Sequence, residues 1–189
     1  MNFMPLEIKG KQVYSTFSQR FRAGLIDFGV ALLMLTLIYF ETISIPVAIG
    51  IHIFTGFIGT FYAIYFHANY GATIGKLVMK IRVVNPDGTK IGYKKALLRS
   101  SVDVILSILI IWITIYTLLN INAQAFLSAE LVDRSDMLVM FYPELQEKLD
   151  YLVVGWYFSE FVVLTMNKRK RALHDYIAGT IVVNKDFLQ

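Results

Sequence analysis

The chain contains no cysteine and only four prolines in 189 residues. Without cysteine there is no disulfide framework, no thiolate nucleophile and no cysteine-ligated metal. Its absence does not fix the compartment, because a membrane protein needs no bridges. Charge is also scarce. Asp, Glu, Lys and Arg make up 17% of the sequence and hydrophobic residues 56%, where soluble domains carry roughly 25% charged residues. These proportions exclude a disordered chain, a disulfide-stapled mini-domain and a simple nucleic-acid binder. The formal charge of +4 does not revive the last of these, because no aromatic-interleaved RNA-reading motif accompanies it.

The scarcity of charge is concentrated in runs. No charged residue occurs from Phe28 to Phe40, from Thr42 to Gly75, from Val104 to Ala129 or from Tyr151 to Ser159. Since about 20 apolar residues cross a bilayer, four spans are expected, at about 21–40, 44–66, 102–121 and 145–166. The fold class is therefore an all-α polytopic membrane protein with four transmembrane helices, a single membrane domain over residues 1–189. Glu41-Thr42-Ile43 is short enough to make the first two spans an antiparallel hairpin. Pro46 is tolerated in the first turn of the second. The first 20 residues have no continuous apolar stretch and no small-residue cleavage site, which argues against a removable signal peptide.

Basic residues give the orientation. Sixteen of the 18 lie in the N-terminal segment, in the loop at 67–101 or in the tail at 167–189, and only Arg134 and Lys148 fall in the outer loop at 122–144 or at the foot of the fourth span. The opposite side carries Glu41, Glu130, Asp133, Asp136, Glu144, Glu147 and Asp150. By the positive-inside rule both termini are cytoplasmic. Lys168 to Arg171 directly follows the fourth apolar run and reads as a juxtamembrane anchor facing anionic lipid.

Within the loop between the second and third spans, Leu77 to Val84 alternates apolar and basic residues before the turn signal Asn85-Pro86-Asp87-Gly88. A return over Thr89 to Tyr93 predicts a small cytoplasmic β-hairpin. Ala172 to Val183 is apolar but too short to span, so an interfacial or re-entrant segment is expected. A helix start is expected near Ser128-Ala129-Glu130, with Leu127, Leu131 and Val132 on the membrane surface.

Two carboxylates fall inside the spans. Asp27 lies about 10 Å from the cytoplasmic boundary at ~1.5 Å per residue, and Glu160, seven residues before Asn167, lies at a similar depth. Each costs on the order of 2–3 kcal/mol in a bilayer and needs a partner or a purpose. Arg20, Gly24 and Asp27 share one helix face, and Arg99 precedes Asp103 by four residues at the mouth of the third span. Asp27, Glu160 and Asp103 are thus candidate ion- or proton-binding groups, with Arg20 and Arg99 as charge partners. If Asp27 and Glu160 face one another they share a proton or cation; the alternative is structural pairing of Arg20 with Asp27 and of Arg99 with Asp103.

Other chemistries lack their residues. Gly71-Ala-Thr-Ile-Gly75-Lys76-Leu77 is one residue short of a phosphate loop and has Leu77 where Ser or Thr should hold magnesium. His52, His67 and His174 have neither the spacing nor the co-ligands of a zinc site. No nucleophile or cofactor motif is recognisable, so neither an enzyme nor a cofactor is expected, and His174-Asp175 reads as a cap or interface contact beneath the bundle.

Three blocks together are more specific than any one. QRFRAGLIDF, GATIGKLVMKIRVVNPDGTKIGYKKALLRSSVD and RALHDYIAGTIVV resemble, in order and spacing, the RDD family of bacterial membrane proteins, over Phe17 to Val183. The family is named for one arginine and two aspartates. The resemblance matches Arg20 and Asp27 to the arginine and the first aspartate, and Asp175, beside His174, to the second, with Asp103 the alternative. It implies the cytoplasmic (inner) membrane of a bacterium, and sodium/proton antiport has been proposed for some members. The leading expectation is exchange of Na+ or K+ with H+, with a homo-oligomer supplying further walls. The alternative is a non-transporting assembly or regulatory module that docks a protein or anionic lipid on its basic face.

Overall fold

The computed structural model describes residues 3–188. Four helical stretches are long and apolar enough to cross a membrane: Phe17–Thr42, Ile45–Val78, Ser101–Asn120 and Pro143–Met166. They coincide with the expected spans, with the second running on past the chain bend at Gly71. In these stretches most large apolar side chains are exposed, including Phe28, Leu33, Phe57, Phe61, Trp112 and Phe158. That is the pattern of helices whose solvent is hydrocarbon rather than water. The first stretch comprises α1 (Phe17–Leu32) and a 3-10 turn sequence (Leu33–Thr42). The second comprises α2 (Ile45–Tyr70) and the short α3 (Ile74–Val78).

Contacts group the chain into two compact units. The first takes the chain up to Val30, Phe61–Ser101 and the chain from Trp156 onward. It opens with a small ribbon of β1 (Glu7–Ile8) and β2 (Lys11–Gln12). Its centre is an antiparallel pair, β3 (Ile81–Val84) with β4 (Ile181–Asn184), in the register Ile81↔Asn184 to Val84↔Ile181. The segment at Tyr14 adds to the other side of β4 through a bridge to Val183.

Two expectations are corrected here. The cytoplasmic hairpin does not form: β3 pairs with the C-terminal strand, and the return after the turn makes one bridge only, Val84↔Lys90. The turn itself is present, closed by Gly88 N–H to Asn85 O and Asn85 N–H to Thr89 O, with Gly88 at φ 89°. The reason lies in burial. Ile181, Val182 and Val183 are all fully buried, and an apolar strand of this kind gains more beside Ile81 and Val83 than on a membrane surface. The return segment instead sends Ile91 into the core and enters α4 (Tyr93–Arg99) directly.

For the same reason Ala172 to Val183 is not one surface-lying piece: its strand half is buried, while Tyr176 and Ile177 of its helix half are exposed. It forms α9 (Leu173–Ala178), a left-handed Gly179 at φ 62°, and β4. The glycine reverses the chain at the helix end, a conformation that costs an ordinary residue about 1–2 kcal/mol.

The second unit takes Ala31–Thr60 and Val102–Gly155. It holds α5 (Ser101–Asn120), which starts at its edge, α6 (Ala123–Ser128), α7 (Leu131–Val139) and the first part of α8 (Pro143–Met166). Asn122 caps α6 by accepting from Ala125 N–H at 3.0 Å. Its core is Ala48, Leu118 and Phe126, with Leu127, Met137 and Leu138 packed on them. The segment between α5 and α8 thus begins its second helix at Leu131, close to the expected start. Leu131 and Val132 are exposed, but Leu127 turns inward.

Candidate functional site

The polar side chains of the first unit converge on Asp175, at the third position of α9. It is fully buried, and its carboxylate is fully used. Oδ2 accepts from Arg20 Nη1 at 2.7 Å and from the Ala172 backbone N–H at 3.0 Å. Oδ1 accepts from Arg99 Nη1 and, at 3.2 Å, from Thr180 Oγ1. Arg20 in turn donates through Nε to Ser15 Oγ at 2.8 Å and through Nη2 to the Lys170 carbonyl. One carboxylate therefore ties together α1, the end of α4, the segment at Ser15 and the tail after α8. Burial alone would raise the pKa of Asp175. The charges of Arg99 and Arg20 outweigh it and hold the group well below the usual carboxylate range.

Asp27 is held separately. Its Oδ1 accepts from Tyr62 OH at 2.9 Å and from Gly75 N–H at 2.8 Å, and its Oδ2 from Thr73 Oγ1 at 2.6 Å. Tyr62 OH is itself oriented by the Ile74 N–H at 2.8 Å. Gly75 is required here, because a Cβ would collide with the Ala23 carbonyl on α1. Glycine lets α3 press its backbone against α1 and bring an amide to the aspartate.

An arginine and a half-buried aspartate from the first sequence block, and a buried aspartate from the last, are now in place. The sequence model of the RDD family matches residues 14–179. The chain belongs to the RDD family. No curated protein and no solved structure is significantly similar to it.

In this RDD protein the residues named from sequence come together differently from the expected pairs. Arg20 shares a helix face with Asp27, yet its guanidinium goes to Asp175, which the C-terminal segment brings to the start of α1. Seven residues of helix put Asp27 about 10 Å further along the axis, beyond an arginine directed the other way. Arg99 is directed to Asp175 and His174. Asp103 sits in the first turn of α5, where a carboxylate is favoured by the helix dipole. Asp27 and Glu160 have no ligand in common among the described residues, so the shared two-carboxylate site is replaced by two separate ones.

Glu160 on α8 belongs to the Asp175 cluster through His174. Its Oε1 accepts from the His174 backbone N–H at 2.8 Å, and its Oε2 lies 2.6 Å from His174 Nδ1. The other ring nitrogen, Nε2, meets Arg99 Nη2. Because arginine only donates, Nε2 is the acceptor and the ring proton sits on Nδ1, facing Glu160. His174 is therefore a neutral imidazole between a guanidinium and a carboxylate. Burial, and then the charge of Arg99, lower its pKa from the ordinary histidine value, against the pull of Asp175 and Glu160.

Sequence reasoning missed Tyr62, Thr73, Gly75, Thr180, Ser15 and the contact of Lys76 Nζ with His67 Nε2 at 3.1 Å. A signal exists for two of them. The Gly71 to Lys76 stretch was weighed as a phosphate loop and fails as one, but its Thr73 hydroxyl and Gly75 amide do cradle an anion: the chain's own Asp27. No group of three or more His, Asp and Glu side chains suited to a metal occurs among the described residues.

Proposed function

We propose that this RDD membrane protein exchanges protons for a monovalent cation, Na+ or K+, and that Glu160 with His174 is the pair that gains and loses the proton. One observation carries the reading. Asp175 is locked by two arginines and Asp27 by three hydrogen-bond donors. Glu160 instead faces the Nδ1–H of a neutral histidine, a partner that carries no fixed charge. A carboxylate so placed takes a proton without stranding the two guanidiniums that Asp175 holds or the three neutral donors that Asp27 holds. Their role is to fix the elements around the pair, while Arg99 sets the histidine tautomer.

The test is proton flux in liposomes containing the purified protein and a pH-sensitive dye. A Na+ or K+ gradient drives flux in the wild type; Glu160→Gln abolishes it, while Asp27→Asn acts mainly through folded yield. Flux equal to that of empty liposomes overturns the exchange reading. The same proposal places both termini on the cytoplasmic side of the inner membrane of a bacterium, on the strength of the 16 basic residues. The cysteine-free chain makes this easy to examine. An impermeant maleimide added to intact cells should label a Ser128→Cys variant and spare a Thr89→Cys variant.

A second reading, docking of anionic lipid by a non-transporting module, is favoured by the tail. Asn167 clamps the turn by accepting from Arg171 N–H at 2.8 Å and donating to the Arg171 carbonyl at 2.7 Å. Arg169 lies over Phe3 and Arg171 over Tyr176. Lys168 and Lys170 line a cleft of about 280 Å³ with Leu6, Glu7, Gln12 and Tyr14. Replacing both lysines with alanine should lower co-purifying anionic lipid; unchanged lipid content sinks this reading.

A further inference from the structure

The second unit has a buried charged cluster of its own, formed by residues that the family blocks do not include. Glu41, at the end of the first span, is 3% exposed, and Arg134 of α7 is 5% exposed. The two are loosely joined, with Arg134 Nη1 3.5 Å from Glu41 Oε2 and 3.4 Å from the Ile38 carbonyl. Glu41 Oε1 lies 3.2 Å from His52 Nε2 of α2. Neither of these atoms, nor Arg134 Nε, makes a hydrogen bond among the described residues. Buried polar groups are ordinarily satisfied, because each unmade bond costs about 1–3 kcal/mol. Here three unsatisfied atoms belong to one cluster, and two of them face each other.

Beside the cluster is a cavity of about 230 Å³, lined by His52, Thr55 and Gly56 of α2 and by Ser107, Ile110, Ile111 and Thr114 of α5. At its edge Gly56 lets Ile111 pack close to the α2 backbone. Its polar lining is an imidazole and three hydroxyls. A space of this size and polarity suits water, which needs two to four polar partners and roughly 30 Å³ each. Thr55 Oγ1 already donates to the Ile51 carbonyl at 2.8 Å, so its lone pairs remain to accept from water.

We infer that His52 and Glu41 form a proton-binding site in the second unit, reached through the hydrated cavity, with His52 the group that is protonated. The charged groups around His52 are Glu41, from the end of the first span, and Arg134, behind it on α7; α5 presents only the Ser107 and Thr114 hydroxyls. An added proton turns a 3.2 Å contact with an unsatisfied carboxylate into an ion pair. It also gives Glu41 the close counter-charge that Arg134, at 3.5 Å, supplies weakly. The site extends the exchange reading by supplying a second place for the transported proton, and it is tested without reference to flux.

The experiment is a histidine titration by NMR on the full-length, ring-15N-labelled protein in lipid nanodiscs, with His52 assigned by loss of its signals in His52→Gln. His52 should titrate. In Glu41→Gln the same degree of protonation should need about tenfold more protons, the effect of removing one opposite charge at this range. Arg134→Gln should act in the reverse direction. Size-exclusion profiles matching the wild type identify the variants that fold. Should Glu41→Gln fail to fold, Arg134→Gln and the wild-type titration still decide. A His52 ring unchanged between about pH 5 and about pH 9, or a midpoint indifferent to both substitutions, overturns the inference. Absence of flux in liposomes would remove the exchange reading and leave this titration standing.

Discussion

Asp175→Asn is the most informative single change. It keeps the shape of the side chain and removes the one negative charge that two buried guanidiniums share. The side chains of Arg20 and Arg99 are only 10% and 4% exposed, and that of Asp175 not at all. Deleting one member of a buried ion pair costs about 3–5 kcal/mol, because the survivor keeps its desolvation penalty without compensation. Two survivors share a single lost partner, so the penalties overlap; the retained Asn oxygen and the Thr180 hydroxyl recover part of them. A loss of about 3 kcal/mol or more is expected, roughly two orders of magnitude in the folding equilibrium. The assay is reversible unfolding in mixed micelles, followed by tryptophan fluorescence. Because the folded pKa of Asp175 is depressed, the unfolded chain is the one that takes up its proton first. The stability it lends is complete above the ordinary aspartate value, about 4, and is lost only as the pH falls from there through the lowered folded value. The difference between wild type and variant should therefore be constant from about pH 5 upward. In a double-mutant cycle Asp175→Asn and Arg99→Gln should be strongly non-additive. A destabilisation below about 1 kcal/mol, or additive effects, would refute the idea that this carboxylate ties the unit together.

Two further outcomes follow from other contacts. Gly75→Ala should destabilise by about 1–3 kcal/mol, since the new methyl meets the Ala23 carbonyl rather than a flexible side chain; thermal unfolding equal to wild type would show that α3 is free to shift. His174 has a folded pKa below its unfolded one, so the unfolded chain binds the proton first and stability falls as pH drops below about 6.5. His174→Gln should flatten that slope in unfolding midpoints measured between about pH 7.5 and about pH 5; an unchanged slope assigns it to another group.

Parts of the site were legible in the sequence because they depend on a residue's own solvent. A carboxylate in an apolar run must be explained wherever the chain goes, so Asp27 and Glu160 stood out from composition alone. Arg20, His174 and Asp175 stood out from the resemblance of three blocks, and Arg99 from its four-residue spacing to Asp103. Their pairing was not legible. Helix spacing placed Arg20 over Asp27 and Arg99 under Asp103, but spacing reports only neighbours on one element. The observed partner, Asp175, is 155 residues from Arg20 and 76 from Arg99. Glu41, His52 and Arg134 escaped notice for the same reason: each looked ordinary on its own segment.

The sequence by itself determined that the chain crosses a membrane, where its four spans lie and which family it belongs to. Apolar length and local motif are one-dimensional properties, and hydrocarbon imposes them residue by residue. Only the tertiary structure decided what β3 pairs with and which ionisable groups meet. An apolar strand accepts any partner that completes its hydrogen bonds and covers its valines. A buried carboxylate likewise takes whichever guanidinium the fold delivers. Both choices depend on chain closure over more than 75 residues, and that distance is what the sequence leaves open.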